Sequence, residues 1–93
     1  MHLASVFDYY PLQIEEFRKQ VWSTEQINEM NADGWTLLMV ASLDNRPDWV
    51  KELVAREADM DLKNPSGQKA IIIAANAGHD KVMIHLLLTG AGG

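Results

Sequence analysis

GWTLLMVASLDNRPDWVKELVAREAD, residues 34–59, is followed after a short turn by GQKAIIIAANAGHDKVMIHLLLTGAG, residues 67–92. The two stretches are offset by 33 residues. Each opens on glycine, enters a short helix rich in small residues, breaks, and resumes as an amphipathic helix. A fixed period of this length marks a stacked repeat, in which each unit buries its apolar face only against its neighbours.

The period is carried by residue chemistry as well as spacing. In the first stretch Leu37, Leu38, Val40 and Ala41 build one helix, and the small Ala41 and Ser42 let a neighbouring helix approach closely. Asn45, Arg46 and Pro47 break it, and Pro47 suits the first turn of the next helix because its missing N–H is unpaired there anyway. Trp49, Val50, Leu53 and Val54 then fall on one stripe. The second stretch repeats this with Ile71, Ile73, Ala74 and Ala75, a turn at Asn76-Ala77-Gly78-His79, and a stripe of Val82, Met83, Leu86 and Leu87. Identities at the 33-residue offset (Asn31/Asn64, Gly34/Gly67, Ala41/Ala74, Leu53/Leu86, Ala58/Ala91) fall at turns and packing positions. Carried backwards, the period sets Phe17 and Val21 in register with Val50 and Val54. It thus predicts the second helix of a degenerate unit around them.

Bulk properties restrict the function classes. The 93 residues are 47% hydrophobic and 23% charged, enough for one domain with a modest core. The net charge is −5, with no basic cluster, so phosphate backbones repel the chain and nucleic acid is an unsuitable partner. There is no cysteine, which excludes disulfides and thiol chemistry. No apolar run approaches the roughly 20 residues of a membrane helix, and MHLASVFDYY lacks the basic start of a signal peptide. An intracellular, cytoplasmic protein without a membrane partner is the expectation.

These residues resemble the ankyrin repeat family, whose unit is a turn followed by two antiparallel helices. The family's G-x-T-P-L-H-x-A-A opening corresponds to Gly34-Trp35-Thr36-Leu37-Leu38-Met39-Val40-Ala41-Ser42. Its G-H-x-x-V-V-x-x-L-L-x-x-G-A-D corresponds to Gly78-His79-Asp80-Lys81-Val82-Met83-Ile84-His85-Leu86-Leu87-Leu88-Thr89-Gly90-Ala91. The resemblance implies an all-α solenoid of about three stacked repeats: 1–33 as a degenerate N-terminal cap, 34–66 as the middle repeat and 67–93 as the last. It also implies LASVFDYY (residues 3–10) as the first helix of that cap. Two departures stand out. The family's histidine is Met39 in one copy and Ile72 in the other. The glycine that closes the second helix is Glu57, which disfavours a left-handed backbone by roughly 1 kcal/mol.

Catalytic chemistry finds no support. His79 matches the family's turn histidine, and His85 lies six residues on, not at the i, i+4 spacing that lets one helix face hold a metal. Asp59 and Asp61 belong to a turn better than to a calcium loop. The serines lack His–Asp context, so no catalytic residue, cofactor or metal site is expected. The resemblance instead implies a protein partner engaged through turn tips and the inner helix face. Transferred by position, those sites are Met30, Asp33, Trp35, Leu43 and Asp44 in the middle repeat, with Lys63, Ser66, Gln68 and Asn76 in the last. Trp35 is the sharpest candidate, because tryptophan anchors are enriched in binding hot spots. The competing reading has it packed on the neighbouring turn. The favoured function is a small adaptor or inhibitor, a profile that fits immunity proteins by analogy. The alternative is a homo-oligomeric assembly unit using Ile84 and Leu88, positions where the family usually carries polar residues.

Overall fold

The computed structural model describes residues 14–89, and among them the chain is all-α, with no strand. Two short helices, α1 (Ile14–Arg18) and α2 (Thr24–Ile27), precede two helical hairpins. The first hairpin is α3 (Leu37–Leu43) with α4 (Pro47–Ala55), and the second is α5 (Ala70–Ala77) with α6 (Asp80–Leu88). α3 packs on α5, while α4 touches both α1 and α6. The helices therefore stand in two rows, α3 and α5 in one and α1, α4 and α6 in the other.

Each start and stop has a local cause. Ser23 caps α2 with a reciprocal box, its Oγ accepting from Gln26 N at 3.1 Å while its own N–H donates to Gln26 Oε1 at 2.8 Å. Thr36 caps α3 by accepting from Met39 N at 3.3 Å. The Met39 thioether, standing where the family has histidine, accepts in return from Thr36 N at 3.5 Å. Pro47 occupies the first turn of α4. Helix ends close through residues with positive φ: Asn45 (55°) after α3, Glu57 (67°) after α4 and Gly78 (76°) after α5. In each case the next residue's N–H reaches back five positions, as in Arg46 N to Ala41 O, Ala58 N to Leu53 O and His79 N to Ala74 O. These bonds satisfy carbonyls that would otherwise be orphaned at the helix end.

The predicted stripes fill the space between the rows. Phe17, Trp49, Val50, Leu53, Val82 and Leu86 are fully buried, together with Leu38, Met39, Ala41, Ile73 and Ala74 from the other row. Phe17 and Trp49 meet with ring centroids 4.8 Å apart, and Trp22 stands edge-on to Phe17 at 5.1 Å. Each fully buried large side chain contributes about 1.5–3 kcal/mol relative to exposure.

Three expectations need correction. Val21 is 98% exposed and lies on no helix, since α1 stops at Arg18 and the chain turns away. The cause is Arg56, whose guanidinium takes the carbonyls of Phe17 (3.0 Å), Arg18 (3.1 Å) and Gln20 (2.7 Å). A cation at a helix C-terminus also suits the helix dipole. Ala75 and Leu87, expected at packing positions, are exposed, although their counterparts Ser42 and Val54 are covered by the following hairpin. The expected first helix at residues 3–10 and the helix end at Gly90 and Ala91 lie outside the described residues.

Candidate interaction surface

The turns before α3 and α5 are built alike. Asn31 Oδ1 accepts from Asp33 N (2.9 Å) and Trp35 N (3.1 Å), and Asn64 Oδ1 accepts from Ser66 N (3.0 Å) and Gln68 N (2.9 Å). Backbone bonds match too, with Gly34 N donating to Asn31 O and Gly67 N to Asn64 O, and both glycines at φ 79°. An asparagine that satisfies two successive turn amides fixes the loop without help from the core. The two turns also nest, for a Cβ on Gly34 would lie 2.8 Å from Pro65 Cγ, whereas one on Gly67 would meet nothing within 4 Å.

Beside the first turn lies a cavity of about 230 Å³ lined by Trp22, Gln26, Glu29, Met30, Asn31, Trp35, Leu37 and Val40. α3 supplies its floor through Leu37 and Val40, α2 supplies Gln26, and the connecting loops supply the rest. Trp35 is half-buried against the core cluster while also forming a wall of this cavity. It therefore packs locally, as one reading expected, and still faces an opening.

The remaining candidates are distributed rather than gathered. Met30 is exposed and shares the cavity with Trp35. Asp33, Lys63 and Ser66 are exposed on the turns, and Gln68 is half-buried, its Oε1 accepting from Asn64 Nδ2 at 3.1 Å. Leu43 and Asp44 end α3, and the Leu43 carbonyl accepts from His79 Nε2 at 2.9 Å, a bond that ties the two hairpins together. Asn76 is exposed near the end of α5, and Ile84 and Leu88 are exposed on α6. Of the cavity residues only Met30 and Trp35 were expected as site residues; Trp22, Gln26, Glu29, Asn31, Leu37 and Val40 were not. Trp22 packs on Phe17 from a loop, with its indole N–H donating to Gln20 Oε1 at 3.0 Å.

Among the described residues no group of three His, Asp or Glu is placed to hold a metal ion. His85 Nε2 is buried with no hydrogen-bond partner. Among the described residues the one clearly displaced carboxyl is Asp48, held below the usual carboxylate range mainly by its hydrogen bond from Arg46, 2.9 Å away, against a smaller opposing effect of burial. That pair organises the start of α4 and lies away from the cavity.

Comparison with known proteins agrees with this architecture. The family described as ankyrin repeats (3 copies) matches residues 2–92. The human NAD-capped RNA hydrolase NUDT12 is 37% identical over 71 residues, which are 76% of this chain and 15% of that protein. The Notch-regulated ankyrin repeat-containing protein of Xenopus tropicalis is 34% identical over 61 residues, 66% of this chain and 54% of that one. The chain thus spans from about a seventh to about half of these relatives. Among solved structures, a chain in the complex of the predatory endopeptidase Bd0816 from Bdellovibrio bacteriovorus with immunity protein Bd3460 superposes with TM-score 0.69 and 30% identity, covering 71% of this chain and 34% of that one. A chain in the complex of yeast ribosomal protein Rps3 with its chaperone Yar1 gives 0.67 and 33%, covering 83% and 48%. No helix among the described residues is long and apolar enough to cross a membrane. Period, turn chemistry and two-row packing together make this chain a member of the ankyrin repeat family, whose repeats are protein-interaction modules.

Proposed function

We propose that this protein is a non-catalytic interaction module, an adaptor or inhibitor that docks on a partner protein through its turn tips and inner helix face and blocks it. The observation that carries the reading is the pair of asparagine-braced turns, which hold Asp33 and Trp35 beside an aromatic cavity and Ser66 and Gln68 on the next turn of the stack. Rigid loops lose little entropy on binding, so their contacts convert efficiently into affinity. Support by likeness comes from the two structural neighbours, both solved as protein–protein complexes.

The test begins with co-purification of a stoichiometric partner. Trp35→Ala is expected to weaken that complex by about thirtyfold or more, the scale of a tryptophan hot spot. Ser66→Arg and Lys63→Glu, at exposed tip positions, keep the test independent of core packing. Unchanged affinity in all three variants overturns the docking mode.

A second reading rests on the last hairpin, where Ile72, Ile84, Leu87 and Leu88 are all exposed. It makes the protein a homo-oligomer joined through α6. Sedimentation at rising concentration tests it, with Leu88→Glu expected to abolish association; a strict monomer at high concentration excludes it.

A further inference from the structure

We infer that the cavity beside the first turn receives an arginine side chain of a basic partner segment. This rests on the docking reading above and assigns its chemistry. The lining offers three kinds of group: the indoles of Trp22 and Trp35, the apolar Met30, Leu37 and Val40, and a single charged side chain, Glu29. Neither a lysine nor an arginine contributes to it.

The side-chain acceptors of the other polar liners are already committed. Gln26 Oε1 accepts from Ser23 N, Asn31 Oδ1 accepts two turn amides, and the Trp22 indole N–H donates to Gln20. The side-chain acceptor left for a ligand is the exposed Glu29 carboxylate, beside aromatic and apolar surface. A neutral apolar side chain would leave Glu29 unused at the rim. A cation over indole rings next to a carboxylate satisfies all three, because ring quadrupole and carboxylate attract the same charge.

Charge distribution points the same way. From Val21 to Asn45 the chain carries Glu25, Glu29, Asp33 and Asp44 and not one lysine, arginine or histidine. The whole protein has a net charge of −5, so most of its negative excess sits in the segment that builds the cavity and its flanking turn. Such a field raises the encounter rate with a basic segment and orients its approach. Arginine is favoured over lysine: guanidinium is planar, weakly hydrated and able to stack on an indole while donating to a carboxylate, whereas an ammonium surrenders more hydration. A volume of about 230 Å³ accommodates such a side chain.

The experiment uses the ¹⁵N-labelled full chain and four end-blocked pentapeptides, each with four glycines around a central arginine, lysine, citrulline or norleucine. The arginine peptide is expected to shift the indole N–H signals of Trp22 and Trp35, leaving that of the buried Trp49 in place. Lysine should follow more weakly and citrulline and norleucine weakest, with the arginine shifts shrinking as salt rises. Glu29→Gln, a change at an exposed position, is expected to weaken the arginine peptide by at least about threefold. Equal binding of norleucine or citrulline overturns the arginine assignment but leaves the cavity as a docking site. No shift from any peptide also overturns it; Trp35→Ala then separates the two ideas, since loss of the co-purified partner preserves docking and full retention removes both.

Discussion

Met39 and Ile72 occupy the same place in successive repeats, yet Met39 is 1% exposed and Ile72 46%. The same contrast runs through Ser42 and Ala75, and through Gly34, which nests against Pro65, and Gly67, which meets nothing. The middle hairpin is clasped from both sides, by α1 and the 22–30 segment that carries α2 before it and by α5 and α6 after it, whereas among the described residues the last hairpin is covered on one side only. Local sequence is therefore not what separates a core position from a surface one here. Position in the stack decides, because burial in a solenoid is supplied by the neighbour.

The sharpest way to break that comparison is a matched pair of truncations. Met39→Ala should cost about 2–5 kcal/mol in urea unfolding, while Ile72→Ala should cost well under half of that, since its side chain is already half in water. Similar losses would mean that the two sides of the stack are equally covered. The next largest effect concerns the N-terminal clasp. Arg56→Ala is expected to cost about 2 kcal/mol, from charge-assisted bonds to three carbonyls, and Arg56→Lys should recover little because an ammonium lacks the planar fork. Hydrogen exchange should show the loss concentrated in α1.

The glycine pair sharpens the contrast further. Gly67→Ala carries only the left-handed penalty of about 1 kcal/mol, whereas Gly34→Ala carries that and the contact with Pro65. Pro65→Ala should bring the Gly34 variant towards the Gly67 value in a double-mutant cycle. In the opposite direction, Glu57→Gly should stabilise the protein by about 1 kcal/mol by relieving the φ of 67°. The smallest effect is electrostatic. Asp48 has a lowered pKa in the folded state, so its contribution is present above the ordinary carboxylate range and disappears as pH falls through the folded value. Because the pair with Arg46 is about a third exposed, Asp48→Asn should flatten the acid limb of stability by well under about 1 kcal/mol.

What was legible in the chain was whatever is local to one period. Gly34 and Gly67, Pro47, the Asn31/Asn64 turns and the second-helix stripes, Leu87 excepted, take their roles from neighbours within a few residues, and the structure places them accordingly. Val21 was misplaced because an offset of 33 assumes that the second helix runs equally far in each unit, and α1 ends at Arg18. Arg56 was invisible for a related reason: its partners lie 36 to 39 residues away, on backbone carbonyls that carry no signature in sequence. The cavity fell between these cases. Trp35 stood out at its turn, but Trp22 and Glu29 join it only through the path of the 22–30 segment, which no repeat template describes.

Arg56 has a consequence for how the molecule comes apart. A short helix gains little from its own hydrogen bonds and is held mainly by packing against its neighbours. α1 is held to α4 by the burial of Ile14 and Phe17, by the Arg18–Glu52 ion pair at 3.6 Å, and by Arg56, itself held by Glu52 at 2.9 Å and lying 4.3 Å from the centre of the Phe17 ring. The degenerate first repeat is therefore a satellite of the middle one. Its amides should report the opening of α4 rather than an opening of their own, with Arg56 as one of the links along which unfolding spreads through the stack.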